Sequence, residues 1–112
     1  MNKIILIGRI TKDPELTHFN EGEGHYCRFF LAVDRRYKNS EGIKEADFIP
    51  IRVWSKGAEY VANYVKKGDL LSINGNLRIS SYEDKEGNKK YVSEVIAEEI
   101  KKIASKKEER AN

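Results

Sequence analysis

The chain has 112 residues, of which 35% are charged, and its net charge of +3 comes from 21 basic and 18 acidic side chains. This length accommodates one domain with a single core, and the charge surplus is too small to predict a nucleic-acid partner by itself. The single cysteine, Cys27, excludes an internal disulfide and any multi-cysteine metal site. No charged leader with an apolar stretch opens the chain, and no apolar run approaches the length of a membrane span. We therefore expect a soluble cytoplasmic protein.

The first part of the sequence indicates a series of strands. Residues 3–10 form a β-branched, nearly continuous apolar run, which is typical of a strand buried on both faces. A turn over residues 11–14 leads to a short strand at 15–20, and a glycine-containing loop follows. Alternation over residues 25–37 then predicts a strand with Cys27 on its inner face, so a small buried side chain is expected there rather than a reactive thiol.

The pattern over residues 48–54 is the most informative in the chain. Alternate side chains of a strand point to opposite faces, which gives an apolar inner face of Ile49, Ile51 and Val53. The other face carries Phe48, Pro50, Arg52 and Trp54. Its two rings lie about 20 Å apart along such a strand, and with the cation they offer platforms for bases and a contact for phosphate. The alternative is that both rings pack under a loop.

Pro50 also predicts where this strand lies in its sheet. Because proline has no backbone N–H to donate to a strand ladder, the strand is expected at a sheet edge or with a bulge.

The remaining sequence predicts one helix and two strands. Apolar residues at helical spacing over residues 55–68 predict about three turns that end before Gly68. A long strand over residues 71–82 then has an inner face of Leu71, Ile73, Gly75, Leu77 and Ile79. A charged hairpin over residues 83–89 leads to a closing strand that runs from residue 91 towards 103. Residues 104–112 are expected to form a short, charged, disordered tail.

The order of these elements predicts the fold class. Counted without the short strand at 15–20, three strands, one helix and two further strands are the order of the OB-fold, an all-β five-stranded Greek-key barrel with one short helix. An SH3-like barrel and a plain α+β domain remain alternatives at this point. No repeat or internal boundary interrupts residues 1–103, which we expect to form a single domain.

The sequence offers little for catalysis or metal binding. No spacing singles out a serine, threonine or carboxylate as a nucleophile with a nearby base. Neither the Walker-type nor the dinucleotide-type glycine pattern for phosphate binding is present. His18 and His25 flank one loop and could converge, but with Cys27 on a core face they make no persuasive zinc set. We expect no enzyme activity, no cofactor and no metal site.

Basic residues are neighbours of the aromatic residues that lie on the outer faces or at the ends of the predicted strands. The groups are Arg35, Arg36, Tyr37 and Lys38; Phe48, Arg52, Trp54 and Lys56; and Arg78 with Tyr82. Each group alone is ordinary, and for Tyr37 a half-buried strand end is the simpler alternative. Together they predict stacking on bases and contact with phosphates. Because duplex DNA hides the faces of its bases, this chemistry favours single strands.

The order and spacing of several segments resemble a known family. The segments are residues 2–10, 13–15, 29–33, 48–56, 64–69 and 73–78. Over residues 1–103 the chain resembles the DNA-binding domain of the bacterial single-stranded DNA-binding proteins. The resemblance covers nearly the whole chain, and the order of the segments is more specific than any one motif.

The resemblance implies a set of DNA-binding residues. The family's four stacking positions fall on Tyr37, Phe48, Trp54 and Tyr82. Its basic positions are matched by Lys56, Lys66, Lys67, Arg78 and Lys90, in addition to Arg52 and the cations Arg35, Arg36 and Lys38. Ser80 and Ser81 stand where relatives often have basic residues, which makes that part of the basic surface thinner.

The resemblance also implies an assembly and a location. Relatives usually form homotetramers in which the first strand helps to build a dimer contact, and they work on DNA in the bacterial cytoplasm, associated with the nucleoid. Relatives commonly continue into a flexible linker and an acidic tip that recruits repair and replication enzymes, and this sequence has neither. The chain is either a short paralogue or a shortened sequence, and recruitment through a tail is in doubt if the ending is natural.

The resulting hypothesis is a protein that coats and protects single-stranded DNA, without sequence preference, in replication, recombination, repair or DNA uptake. Two rivals remain. One is an OB-fold accessory protein of the primosome type that mainly docks on a replication partner, and the other is an OB-fold RNA or tRNA binder.

Overall fold

The structure, a computed structural model, describes residues 1–106 and contains strands and one α-helix. In chain order the elements are β1 (Ile4–Ile10), β2 (Leu16–Phe19), β3 (Gly24–Lys38), β4 (Lys44–Trp54), α1 (Ser55–Tyr64), β5 (Leu70–Glu83) and β6 (Lys89–Ala104). A short 3₁₀ turn joins β2 to β3. Ala104, the first residue of the predicted tail, is still part of β6, and residues 107–112 lie outside the described residues.

Five of the strands close into a barrel. The order is β1-β5-β6-β4-β3, and pairing of β1 with β3 through Arg9↔Ala32 and Ile10↔Leu31 closes the ring. The strands pair antiparallel except for β4 and β6, which run parallel. The short β2 pairs with β3 outside this ring, and α1 lies between β4 and β5 in the chain. The predicted OB-fold is therefore confirmed.

Alternating side chains of the strands fill the barrel. The buried core includes Ile10, Cys27, Phe29, Leu31, Ile51, Val53, Leu71 and Ile73. Each fully buried Leu, Ile or Phe side chain contributes about 1.5–3 kcal/mol relative to an exposed one. The inner faces predicted for β3 and β4 are confirmed at these positions, and Cys27 is a buried free thiol as expected.

Pro50 lies in a part of β4 that pairs with another strand on one side only. It pairs with Phe30 of β3, whereas the pairing of β4 with β6 begins only at Ile51. The expected edge position is therefore confirmed locally, and the register shift of the β3–β4 pair lies elsewhere, between Asp34 and Lys38.

Two expectations about burial are wrong. β1 is not buried on both faces, because Ile5 and Ile7 are 66% and 56% exposed. A closed barrel has only one interior, so a strand in it buries one face unless another layer covers the second. Leu77 and Ile79 are also exposed, because β5 and β6 continue as a hairpin beyond the part of the barrel that holds the core.

Helix α1 ends earlier than predicted, at Tyr64. The next residue, Val65, has an extended backbone and is 1% exposed. The helix therefore ends where the chain directs the Val65 side chain into the core. Ala58 and Val61 are the buried side chains of the helix. No helix within residues 1–106 is both long and apolar enough to cross a membrane.

Candidate nucleic-acid interface

The outer face of β3 and β4 brings together aromatic and cationic side chains. The two strands pair in the register Tyr26↔Trp54, Arg28↔Arg52, Phe30↔Pro50 and Ala32↔Phe48. Residues directly opposite each other in an antiparallel pair share a face, so these side chains form two parallel rows. We call the surface made by these eight residues the β3–β4 face. One of its rows contains the predicted residues Phe48, Arg52 and Trp54.

The two predicted rings of this face are accessible to different degrees. Phe48 is 64% exposed, so its ring is accessible to a ligand, whereas Trp54 is 37% exposed. The Trp54 ring lies 5.1 Å from the Tyr26 ring and meets the edge of the Phe19 ring at 5.6 Å, measured between centroids. These contacts hold the indole in place and leave part of it free. The alternative in which both rings pack under a loop does not apply to Phe48.

Arg52 is held in the middle of the β3–β4 face. Its Nε donates a hydrogen bond of 3.2 Å to Glu94 Oε2. Its guanidinium carbon lies 4.7 Å from the Tyr26 ring centre and 5.6 Å from that of Trp54. Arg52 therefore supports the two rings as a cation–π partner and is not simply a free cation for phosphate.

Glu94 is an acidic residue inside this basic surface. The same oxygen that accepts from Arg52 lies 3.9 Å from Arg28 Nε, and Arg78 stands directly opposite Glu94 in the β5–β6 register. Two guanidiniums thus share one carboxylate, and Arg78 adds a third cation at the neighbouring position of β5, which leaves a local surplus of positive charge. Such a surplus is suited to polyanion binding.

The end of β3 carries Tyr37 and its cations. Tyr37 is 77% exposed, so the alternative of a half-buried strand end is wrong, and the Arg36 guanidinium carbon lies 5.7 Å from its ring centre. Arg35 points elsewhere: it donates to Asp47 Oδ1 and to Glu45 Oε2. The hydrogen bond from Arg35 lowers the pKa of Asp47 and raises that of Arg35 itself. Lys38 is exposed at the same strand end.

Tyr82 stands on the hairpin formed by β5 and β6. It is exposed and lies opposite Lys90 in the strand register, and Lys90 Nζ is 3.9 Å from Asp84 Oδ2 in the hairpin turn. The structure does not bring Tyr37 or Tyr82 into ring contact with Phe48 or Trp54 within the described part of the chain. The four predicted stacking residues therefore lie on the β3–β4 face and on two projecting strand ends.

The other predicted cations differ in their surroundings. Lys56 is exposed in the first turn of α1, two residues beyond Trp54. Lys66 and Lys67 lie in the turn after α1, where their backbone N–H groups donate to Asp69 Oδ2 and Asp13 Oδ1. That turn contacts the end of β1 through a hydrogen bond from Gly68 N–H to Ile10 C=O.

Sequence reasoning missed four residues that belong with this surface: Phe19, Tyr26, Arg28 and Phe30. The signal was present, since the last three alternate with the core residues of β3 and so had to face outward. These three are placed beside the predicted residues by their cross-strand positions opposite β4, and Phe19 by its ring contact with Trp54.

Within residues 1–106 neither a metal centre nor a reactive thiol finds support. No group of three or more His, Cys, Asp or Glu side chains within residues 1–106 could hold a metal ion. Burial raises the pKa of the Cys27 thiol, which disfavours its reactive thiolate form.

Comparison with known proteins gives this geometry its context. The sequence matches the single-strand binding protein family over residues 1–103. It is 48% identical over 108 residues to single-stranded DNA-binding protein 1 of Clostridium acetobutylicum, covering 96% of this chain and 98% of the relative. It is 55% identical over 101 residues to single-stranded DNA-binding protein 2 of the same organism, covering 90% and 75%. The corresponding protein of Clostridium tetani is 53% identical over 102 residues, covering 90% and 69%. The chain belongs to the single-strand binding protein family.

Proposed function

We propose that this protein binds single-stranded DNA without sequence preference, as a non-enzymatic coat that keeps strands unpaired. The observation that carries the proposal is the β3–β4 face, where a guanidinium stands between two aromatic rings on each of the two strands. The relatives, each named as a single-stranded DNA-binding protein, support the same partner. The DNA-binding domain comprises residues 1–103.

Stacking on Tyr37, Phe48, Trp54 and Tyr82 provides affinity that does not depend on sequence. Every base has a π-face, and base–aromatic stacking is worth about 1–3 kcal/mol per base. Bases in a duplex are stacked on one another and have no free face for these rings, whereas bases in a single strand do. Binding therefore favours unwound strands and opposes their re-pairing.

Cations provide the second part of the affinity. Arg36, Lys38, Lys56, Arg78 and Lys90 are the predicted basic residues beside the four rings, and each contact with phosphate releases a counterion. Arg35 and Arg52 act mainly through their neighbours, since both are engaged with carboxylates. Lys66 and Lys67 lie on the turn between α1 and β5. They contact the bound single-stranded DNA only if the DNA continues past α1.

The biological setting follows from the partner. Single strands arise in replication, recombination, repair and DNA uptake, and the protein protects them there, in the bacterial cytoplasm with the nucleoid. We assign the exposed Ile5 and Ile7 of β1 to a contact between copies in a homotetramer, because an exposed aliphatic pair on a strand is best covered by another apolar surface. Recruitment of repair enzymes through an acidic tail is not part of the proposal.

The test uses Trp54, the only tryptophan in the sequence. Stacking of a base on its indole should quench the emission, so titration with oligo-dT should give a saturable decrease that weakens as salt is raised. A duplex of the same length should compete poorly. If folded RNA competes better than oligo-dT, the RNA-binding rival is favoured. If oligo-dT leaves the emission unchanged and no binding is seen by any method, the proposal is wrong.

A further inference from the structure

Phe30 is an exposed ring on the β3–β4 face that lies between the predicted stacking residues. It is 46% exposed and stands directly opposite Pro50 of β4. Phe48 and Trp54 are about 20 Å apart along β4, and Phe30 falls within this interval, displaced by one strand spacing of about 4.8 Å. It therefore offers a platform in a stretch of the surface where β4 itself has no ring.

A cavity of about 280 Å³ opens beside this ring. It lies between β3 and the connection from β1 to β2, and its walls include Thr11, Lys12, Asp13, Glu15, Arg28 and Phe30. Phe29 and Phe30 are its aromatic lining residues, and Arg28 of the same strand is a cationic one. A concave site with an aromatic wall and a few polar groups is the usual form of a small-molecule or nucleotide pocket.

Hydrogen bonds fix the walls of this cavity before any ligand arrives. The carbonyl oxygen of Phe30 accepts from both the backbone N–H of Thr11, at 3.2 Å, and its hydroxyl, at 3.0 Å. Asp13 Oδ1 accepts from the backbone N–H of Lys67 at 2.7 Å, which ties the connection to the turn after α1. A site with walls held in this way loses little entropy on binding.

The charges around the cavity distinguish between ligands. Lys12 and Arg28 are balanced by Asp13 and Glu15, so the cavity as a whole is not a strong site for a free anion. Arg28 lies 3.9 Å from Glu94, which is long for an ion pair, and its side chain is 46% exposed, so the guanidinium can reach towards a ligand. A neutral base on Phe30 with its phosphate near Lys12 and Arg28 matches this distribution of charge.

We infer that this cavity is an additional nucleotide subsite, in which Phe30 stacks a base of the bound single strand and Lys12 and Arg28 contact its phosphates. The inference rests on the proposed binding of single-stranded DNA and extends its footprint from β4 across β3 to the β1–β2 connection. Single-stranded nucleotides are the ligand class. Asp13 maintains the shape of the subsite and does not contact the strand.

The experiment compares the wild-type protein with Phe30→Leu over a series of oligo-dT lengths. Leucine keeps an apolar side chain opposite Pro50 and the carbonyl oxygen that accepts both hydrogen bonds from Thr11, while removing the ring. Wild-type affinity should rise with length until the subsite is filled, and Phe30→Leu should lose the last part of this rise, a loss of about 5- to 20-fold for the longest oligomers. The shortest oligomers that still bind should be affected least.

Two further measurements make the result specific. Oligo-dT carrying 5-iododeoxyuridine should cross-link to Phe30 under ultraviolet light, as located by mass spectrometry of the digested complex. Lys12→Gln should make the dependence of log affinity on log salt shallower by about 0.7, the value for one lost phosphate contact with a single strand. Tyr64→Leu, which removes an exposed ring on α1, is the matched control and should bind as the wild type does.

The outcomes separate this inference from the proposed function. If the wild type binds oligo-dT but Phe30→Leu shows the same length dependence and no cross-link forms at Phe30, the subsite is overturned and the proposed function stands. If the wild type itself does not bind oligo-dT, both are overturned together.

Discussion

Two of the regions in which the barrel exposes apolar side chains differ in their chemistry. On the β3–β4 face the exposed side chains are rings, and guanidiniums stand between them. On β1 the exposed side chains Ile5 and Ile7 are aliphatic and lie opposite the small polar residues Asn74 and Ser72 of β5. Flat rings with cations fit bases and phosphates, whereas branched aliphatic side chains fit another apolar protein surface. Exposure alone therefore does not distinguish the proposed DNA-binding face from the proposed contact between copies, and the chemistry of the exposed side chains is the basis for the two proposals.

Removal of both rings of β4 should have the largest effect on DNA binding. Each stacking contact is worth about 1–3 kcal/mol, so Phe48→Ala combined with Trp54→Ala should weaken oligo-dT binding by roughly 2–6 kcal/mol. Because the double variant has no tryptophan, the measurement is the fluorescence anisotropy of dye-labelled oligo-dT. Circular dichroism should show the same strand content as in the wild type, since neither ring is in the core. Affinity within twofold of the wild type would contradict the stacking assignment.

The second prediction tests the aliphatic region. Ile7→Ala should weaken association between copies by about 1.5–3 kcal/mol, the value of burying one such side chain. Sedimentation velocity over a range of protein concentrations should show dissociation of the variant at concentrations where the wild type stays assembled. Ile43→Ala, at another exposed isoleucine in the turn between β3 and β4, is the control and should leave assembly unchanged. If the wild type is monomeric at every concentration, the proposed contact between copies through β1 is wrong.

Much of the fold could be predicted because strands have a strict period of two. The alternation in β3 and β4 assigns Cys27, Phe29, Ile51 and Val53 to the core without any knowledge of neighbouring strands. Burial on a second face depends on what covers the barrel from outside, and a local pattern does not contain that information. The apolar run of β1 therefore predicted two buried faces where the structure has one.

The site was predictable in part for the same reason. Alternation identifies the outer face of β4, including Phe48 and Trp54, but not the cross-strand partners that decide how a cation is used. Arg35 contacts Asp47 and Glu45 across a hairpin, and Arg52 contacts Glu94 from a strand that follows some 40 residues later in the chain. Those contacts follow from strand register, which the sequence alone did not specify.

Glu94 provides a third and smaller test, directed at the charge of the β3–β4 face. Glu94→Gln keeps an oxygen that can accept from Arg52 Nε and removes the negative charge shared with Arg28. Binding of oligo-dT should become tighter by roughly 1 kcal/mol, the value of a partly exposed ion pair. The dependence on salt should become steeper, since more cations are then free for phosphate. Weaker binding with an unchanged salt dependence would indicate that the carboxylate mainly positions Arg52.

The smallest expected effect distinguishes two neighbouring arginines at the end of β3. Arg35 donates to two carboxylates, whereas Arg36 lies over the exposed ring of Tyr37. Arg36→Gln should weaken oligo-dT binding by about 0.5–1 kcal/mol, because it removes both an exposed cation–π contact and a cation beside a stacking ring. Arg35→Gln is the matched variant with the same change of charge, and it should alter affinity by less than about 0.5 kcal/mol, as a surface substitution away from the ligand does. Titrations at two salt concentrations would measure both. Equal losses in the two variants would show that net charge at this strand end, and not the placement of each guanidinium, governs binding there.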